Sequence, residues 1–336
     1  MFSMERIALT GATSMLGASL VEECVKKNVE VLAFVHKGSS KLDRLPKSPL
    51  VKIAECDLCD MATFDIGAER CDVFYHFAWG YTDKKVRDNP VPQLKNIEYA
   101  FDAVDLAARL GCKKFIGAGS QAEYGITNEI ISEKTKCEPL SSYGIAKFAA
   151  GKLCVKLCAQ KNMICIWTRV FSVYGEYENP ASLVSYLINC YLNGETAKVS
   201  AGLQNWEYLY QSDAARFFIA IGEKCNESKV FTLSSLDKRQ LKDYVLEVQE
   251  LTGGKLNLEF APLSGIPIVT LDSDISALID DTNIKPRISF REGVARMIEC
   301  CKNYPPLPHQ KRCNHGKYDL IFSRCVDALS IWRCAA

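Results

Sequence analysis

The chain has 336 residues, 48% of them hydrophobic, and its 41 Lys and Arg against 40 Asp and Glu leave a formal charge of +1. That length is enough for one large or two modest domains with a full core. The charge balance excludes nucleic acid or a membrane surface as a partner chosen by whole-chain electrostatics. No apolar run approaches the ~20 residues of a membrane span, and the N-terminal apolar stretch holds a glycine turn where a signal peptide would need a cleavage site. Sixteen cysteines raise the question of disulfides or metal. Cys56 and Cys59 form a lone Cys-x-x-Cys with no second pair or histidine group nearby. Cys154 and Cys158 share the apolar face of a helix, where cysteine acts as a small hydrophobe. The expectation is reduced, mostly buried thiols, no metal, and a cytoplasmic protein.

Residues 5–10 read as a short buried strand, 11–17 as a turn and 17–27 as an amphipathic helix. A second strand follows at 29–35. Apolar runs at 51–54, 72–77, 113–118 and 163–168 are strand-like, with helical patterns near 95–110 and 143–161. Strands alternating with helices predict an α/β protein with a parallel sheet covered on both faces. Beyond 175 the rhythm loosens into a helix at 182–193, short strands and loops, then helices at 241–252 and 290–303. The expected organisation is a nucleotide-binding domain over 1–174, to which later segments return, and a smaller α/β substrate domain over 175–304. Pro305-Pro-Leu-Pro308 stops the last helix, and 305–336 stays unassigned.

Gly11-Ala-Thr13-Ser14-Met15-Leu16-Gly17 has the form of a dinucleotide turn, in which glycines let the backbone approach a pyrophosphate resting on a helix N-terminus. Ser14 stands where a middle glycine is often found, and its hydroxyl can donate to phosphate. An ordinary strand-turn-helix remains the plain alternative. The end of the second strand reads Val35-His36-Lys37-Gly38-Ser39-Ser40, with no carboxylate until Asp43. An NAD site usually places an acid there for the ribose hydroxyls, whereas His36, Lys37 and Ser39 suit a 2′-phosphate. NADP is therefore favoured, NAD stays open, and a solvated loop is the neutral reading. Tyr143 and Lys147, four residues apart on a helix, share one face. A phenol titrates near ~10 and needs a neighbouring positive charge to act near pH 7.

These residues, in this order, resemble the extended short-chain dehydrogenase/reductases, and within them the NAD-dependent epimerase/dehydratase family acting on nucleotide sugars. The resemblance covers about 5–303. It rests on Thr10-Gly11-x5-Gly17, Cys56-Asp57-Leu58, His76-Phe77-Ala78, Asn96, Gly119-Ser120-Gln121-Ala122-Glu123-Tyr124-Gly125, Tyr143-x3-Lys147, and Arg169-Val170-Phe-Ser172-Val-Tyr174-Gly175. It implies a Rossmann-type, doubly wound parallel sheet and a triad of Ser120, Tyr143 and Lys147. Tyr143 would exchange a proton with the sugar oxygen, Ser120 would hydrogen-bond that oxygen, and Lys147 would hold the nicotinamide ribose and lower the tyrosine pKa. The Asp57-Leu58 pair would border adenine, with Phe77, Ala78 and Val170 along the cofactor. A strand-end capping role is the plain reading of Ser120.

The family's 4,6-dehydratases carry an Asp-Glu pair after the triad hydroxyl, and here those places hold Gln121 and Ala122. Glu123 comes one residue late, and strand alternation would send it to the other face if the strand geometry continued. Two chemistries remain: an NADPH-dependent 4-ketoreductase of a nucleotide-linked 4-keto-6-deoxyhexose, favoured by the acid-free end of the second strand, and a 4-epimerase. A cofactor-binding sensor is the non-catalytic rival. On the substrate side Trp206 replaces a family arginine that grips the nucleotide diphosphate. It stacks on a base or fills core, with Arg216 or Arg239 as candidates for the missing charge. Gln121, Ser172, Asn179 and Gln204 are further sugar or diphosphate contacts by family position. A homodimer is expected through the helices at 95–110 and 143–161, whose apolar residues Ala100, Val104, Ala149 and Leu153 fit either a partner or the core.

Overall fold

Runs such as Val31–Val35 and Val73–Tyr75, apolar at every position and buried throughout, belong to strands covered on both faces, as in parallel sheets. The computed structural model describes residues 4–83, 85–261 and 271–303. In chain order it contains β1 (Arg6–Thr10), α1 (Met15–Lys26), β2 (Glu30–Val35), β3 (Val51–Glu55), β4 (Val73–His76), α2 (Pro90–Arg109), β5 (Lys114–Ser120), α3 (Ser142–Gln160) and β6 (Ile164–Val170). There follow β7 (Ser172–Tyr174), α4 (Leu183–Asn193), β8 (Thr196–Ser200), β9 (Asn205–Trp206), β10 (Tyr208–Tyr210), α5 (Gln211–Lys224) and β11 (Lys229–Leu233). The described chain ends with β12 (Arg239–Gln240), α6 (Leu241–Leu251), β13 (Asn257–Ala261), α7 (Ser276–Thr282) and α8 (Phe290–Asn303). The segment 305–336, with the proline run, lies outside the described residues.

Two units divide this chain. The first takes the residues up to Phe171 together with Gln211–Ser234 and Ser273–Lys285. Its seven strands form one sheet in the order β11-β6-β5-β4-β1-β2-β3, every pair parallel. This is the expected doubly wound α/β sheet. On one face Ala100, Ala103, Val104 and Ala107 of α2 and Ala150, Cys154 and Cys158 of α3 bury against Phe74, Phe115 and Trp167. Trp167 is accommodated by glycines: a Cβ on Gly117 would lie 2.3 Å from its ring, and one on Gly151 2.7 Å. Small residues thus let α3 lie close on β5 and β6, which fixes where its first turn falls. Ala100 and Val104 are fully buried, so the apolar surface expected of them belongs to the core, because the small side chains of α2 meet those of α3. The apolar residues that do face outward are Val91 and Leu94 on α2 and Ile145 and Leu153 on α3.

The second unit comprises Ser172–Tyr210, Ser235–Asp272 and the residues from Pro286. It contains three two-stranded pairings, β7 with β10, β8 with β13 and β9 with β12. Its core gathers Tyr174, Leu187, Tyr244, Phe290 and Val294, with the Tyr244 and Phe290 rings 4.6 Å apart. All thirteen cysteines among the described residues are unpaired. Burial pushes several thiols up, Cys24 to about 12, so they are protonated and unreactive. No described helix is long and apolar enough to cross a membrane.

Candidate active site

The sheet order reverses at β1, which lies between β2 and β4. The crevice beyond the carboxyl ends of β1 and β4 is where an open parallel sheet takes its ligand. Gly11 ends β1 at φ +74°, and a Cβ on it would approach the Ala78 nitrogen to 2.8 Å. A Cβ on Gly17 would lie 2.2 Å from the Gly11 carbonyl oxygen, so both positions are closed to any side chain. Thr13, Ser14, Met15 and Leu16 complete the turn. Ser14 is the N-cap of α1: its Oγ accepts from Gly17 N at 3.0 Å. A serine in the middle-glycine place is thus explained by helix capping, and its hydroxyl can still donate. Phe77 and Ala78 pack beside the turn, Ala78 N donating to Thr10 Oγ1 at 3.4 Å. This glycine cradle at a helix N-terminus fits the pyrophosphate of a dinucleotide cofactor.

The end of β2 differs from the sequence reading. β2 pairs in register with β3, Val35 opposite Glu55, so the residues that follow each strand lie side by side. Asp57 Oδ1 accepts from Lys37 N at 3.1 Å and lies 3.5 Å from His36 Nε2. Lys37 Nζ pairs with Asp60 Oδ2 at 2.6 Å. The loop that looked acid-free along the chain therefore has two carboxylates beside it in space. A cation does reach the glycine turn from this side: Arg44 Nη1 donates to Thr13 O at 3.2 Å. Replacing Asp60 with Asn should tighten NADPH binding about two- to fivefold, the scale of an exposed ion pair, and leave NADH unchanged. Fluorescence titration of both nucleotides checks this.

Across the crevice, β5 ends at Ser120, with Val170 of β6 opposite it in register. Residues Gln121–Glu123 leave the strand as a 3₁₀ turn capped by Ser120, whose Oγ accepts from Ala122 N at 3.2 Å. The capping role is present, and Ser120 is also close enough to Tyr143 to draw the phenol's pKa down. The approach is made possible by Gly144, where a Cβ would lie 2.4 Å from the Ala122 oxygen. Burial pushes the Tyr143 phenol above its ordinary value, while Arg87 and Ser120 pull it down. Lys147 is buried, its Nζ donating to Ala118 O at 2.6 Å and lying 3.7 Å over the Trp79 ring. Desolvation pushes that amine down to about 7, and the carbonyl and indole face favour its charged form. His76 is held neutral by burial, pushed to about 3, with Nδ1 2.9 Å from Thr10 Oγ1.

Several residues here escaped the sequence reading. Trp79 is anchored by Gln93, whose Oε1 accepts from Nε1 at 3.0 Å, and Gly80 by Asn96. Arg87 stacks with Cζ 4.0 Å from the Tyr143 ring centre. Glu123, placed on the far face by strand alternation, is 1% exposed because the strand stops at Ser120. Its carboxylate accepts from Ser120 N at 2.8 Å, Trp167 Nε1 at 3.0 Å and Arg169 Nε at 3.0 Å.

The substrate-side residues Ser172, Asn179, Gln204 and Trp206 belong to the second unit. Asn179 is exposed and its Oδ1 accepts from Ala181 N. Gln204 Oε1 and Trp206 Nε1 are buried without a hydrogen-bond partner, as is Gln121 Oε1 in the first unit. Arg239 is committed to Asp237 and Glu247 at 2.7 and 2.8 Å, and Arg216 to Asp213 at 2.5 Å. Neither is a spare cation for a diphosphate.

A glycine cradle at the switch point and a Ser-Tyr-Lys group across it define an enzyme of the extended short-chain dehydrogenase/reductase type. The chain belongs to the NAD dependent epimerase/dehydratase family, whose model matches residues 7–233. It is 23% identical over 316 residues to the uncharacterized UDP-glucose epimerase YtcB of Bacillus subtilis (strain 168), a match covering 87% of this chain and 96% of that protein. The fold also matches solved structures. The UDP-glucose 4-epimerase of Thermotoga maritima with UDP-glucose gives a TM-score of 0.79 at 20% identity, covering 89% of this chain and 99% of that one. MoeE5 in complex with UDP-glucuronic acid and NAD gives 0.77 at 22% identity, with the same coverage.

Proposed function

We propose that this enzyme moves a hydride at C4 of a nucleoside-diphosphate sugar, and that it is an NAD-dependent 4-epimerase. The observation that carries the reading is the convergence of Ser120, close enough to draw the Tyr143 phenol down, with Tyr143 and Lys147 one helical turn further on, beside a glycine cradle. Hydride removal from a carbinol needs a base for its proton and a polar clamp for its oxygen. Tyr143 takes the proton from the C4 hydroxyl and returns it, and Ser120 holds the same oxygen. A bound nicotinamide would supply the hydride acceptor and donor, and inversion at C4 requires the 4-keto sugar to turn over so that the hydride returns to its opposite face. Lys147 would hold the ribose of that cofactor, with Gly11, Gly17 and the first turn of α1 at its pyrophosphate, and Asp57, Leu58, Phe77, Ala78 and Val170 along it.

Dehydration is disfavoured, since Glu123 is spent on Ser120 N, Trp167 and Arg169 and its neighbours are Gln121 and Ala122. The pairing of Lys37 with Asp60 supports NAD over NADP, and relatives named for UDP-glucose support a nucleotide sugar. Gln121, Gln204 and Trp206, each with a buried atom lacking a partner, are the better supported sugar or diphosphate contacts. Ser172 and Asn179 rest on resemblance alone. Val91, Leu94, Ile145 and Leu153 are the apolar residues that would meet in a homodimer.

Arg44 at the glycine turn favours a second reading, single reduction of a 4-keto-6-deoxyhexose by NADPH. One experiment separates the two. The purified enzyme is denatured and its released nucleotide identified, and fresh enzyme is mixed with NADPH and a panel of nucleotide-linked sugars and 4-keto sugars. The epimerase reading expects released NAD and interconversion of C4 epimers with no net change in cofactor absorbance. Stoichiometric loss of NADPH with a 4-keto sugar would replace it by the reductase.

A further inference from the structure

β4 ends at His76, and the chain leaves the sheet through Phe77-Ala78-Trp79-Gly80. Two amide side chains on α2, Gln93 and Asn96, each 1% exposed, take hold of this exit. Gln93 Oε1 accepts from Trp79 Nε1 at 3.0 Å and from Asn96 Nδ2 at 3.2 Å, and Gln93 Nε2 donates to Tyr81 O at 3.0 Å. Asn96 closes on Gly80, its Oδ1 accepting from Gly80 N at 2.7 Å and its Nδ2 donating to Gly80 O at 3.1 Å. Residues three apart on a helix share a face, so the two amides act as one clamp. An indole has a single N–H to satisfy, and a clamp on that N–H and on the next backbone unit sets which way the ring faces.

The ring faces a cation. Lys147 Nζ lies 3.7 Å over it, well inside the ~6 Å at which an ammonium is drawn to an aromatic face, and tryptophan offers the strongest such face. Lys147 is 4% exposed, and a buried charge is costly unless something compensates it. One N–H of the ammonium donates to Ala118 O at 2.6 Å. Among the described residues no carboxylate pairs with it: Glu123, the acid that favours its charge, is committed to Ser120 N, Trp167 and Arg169. We propose that Trp79 is a positioning residue, its indole face holding Lys147 in place as an ammonium. This rests on the reading of Lys147 as the group that holds the cofactor ribose, since a charged donor makes the stronger hydrogen bond.

The titratable groups around Lys147 come from every element packed on it. Tyr143 and Cys154 share α3 with it, and burial pushes both of them up. His76, at the end of β4, is held neutral by burial. Desolvation is the largest influence on the amine and works against its charge. Glu123 on the 3₁₀ turn favours the charge, and Arg87 on the turn before α2 opposes it. With burial pushing the amine down to about 7, even a modest loss of support empties the ammonium at neutral pH.

The test is direct titration of Lys147 in the full chain. Protein carrying carbon-13 at lysine Cε is followed by NMR from about pH 5 to pH 10, and the Lys147 signal is assigned by its loss in Lys147→Met. Trp79→Leu should lower the midpoint by about one unit, a tenfold loss of ammonium at a given pH above it. Trp79→Phe, which keeps a weaker aromatic face, should lower it less. Gln93→Leu, which frees the indole, should fall between the parent and Trp79→Leu. NADH affinity, read by fluorescence, should decline as pH rises through the Lys147 midpoint in the parent and about one unit earlier in Trp79→Leu. The sign is decisive. An indole that only excluded water would, once removed, let water onto the ammonium and raise the midpoint, so a rise or no change in Trp79→Leu overturns the proposal. Should Trp79→Leu misfold by circular dichroism, the sign of the Trp79→Phe shift decides in its place. An NADH affinity that ignores the Lys147 midpoint in the parent would remove Lys147 from the ribose role, and the titration, which needs no substrate, would still decide what Trp79 does.

Discussion

Replacing Tyr143 with Phe should lower turnover by about 10³-fold, within the range that one positioned acid or base supplies, while leaving the cofactor dissociation constant within about twofold. The substitution removes a single oxygen. The ring keeps its stack on Arg87 and its edge contact with Trp79, and the glycine cradle and Lys147 are untouched. On the proposed reading the loss falls on kcat, because Tyr143 is the group assigned to exchange the proton of the substrate oxygen. Ser120 is assigned to clamp that oxygen, Lys147 donates to Ala118 O, and His76 is buried against Thr10. Steady-state kinetics with a nucleotide titration on the same preparation check both halves. A variant keeping more than a tenth of the parent kcat would remove Tyr143 from the proton-transfer role.

Much of this site could be read along the chain because it is built from short-range patterns. Tyr143 and Lys147 share a helix face by spacing alone, and Gly11 and Gly17 bracket a turn whose geometry admits no side chain. The sheet strands were visible as continuous apolar runs, since burial on both faces removes alternation. What escaped depends on chain segments meeting in space. Lys37 and Asp60 are brought together by the parallel register of β2 and β3, which no local pattern encodes. Arg87 is one charge among several in a polar stretch, and only the Asp88–Ser142 bonds place it on Tyr143. Helix α5 was lost because Phe217-Phe218-Ile219-Ala220-Ile221 is apolar on every side, buried entirely, and such a run shows neither helical nor strand period. Helix α2 begins at Pro90, five residues earlier than its apolar pattern, because Asn89 caps it and proline fits a first turn. The placement of Glu123 hung on whether the strand ran past Ser120, and the backbone turns there.

Glu123→Ala should destabilise the protein by about 3–5 kcal/mol, the cost of breaking a buried ion pair from one side. The carboxylate and Arg169 are 1% and 4% exposed, so water cannot replace the lost partner. Arg169 Nη1 is already buried without a hydrogen bond, and its Cζ lies 4.6 Å from the Tyr124 ring centre. The Ser120 amide and the Trp167 indole N–H lose their acceptor at the same stroke. Glu123→Gln should cost less, because an amide oxygen can still accept from Ser120 N. Pairing Glu123→Leu with Arg169→Met should recover stability relative to either single change, since an apolar pair removes both charges together. Urea unfolding of the five variants, the two single changes of that pair included, measures the series. The result also bears on the chemistry, because a carboxylate whose removal unfolds the sheet is a support for Ser120 and not a free acid. If Glu123→Ala were as stable as the parent and yet inactive, Glu123 would have to be counted among the reacting groups, and elimination of water from the sugar would return as a candidate reaction.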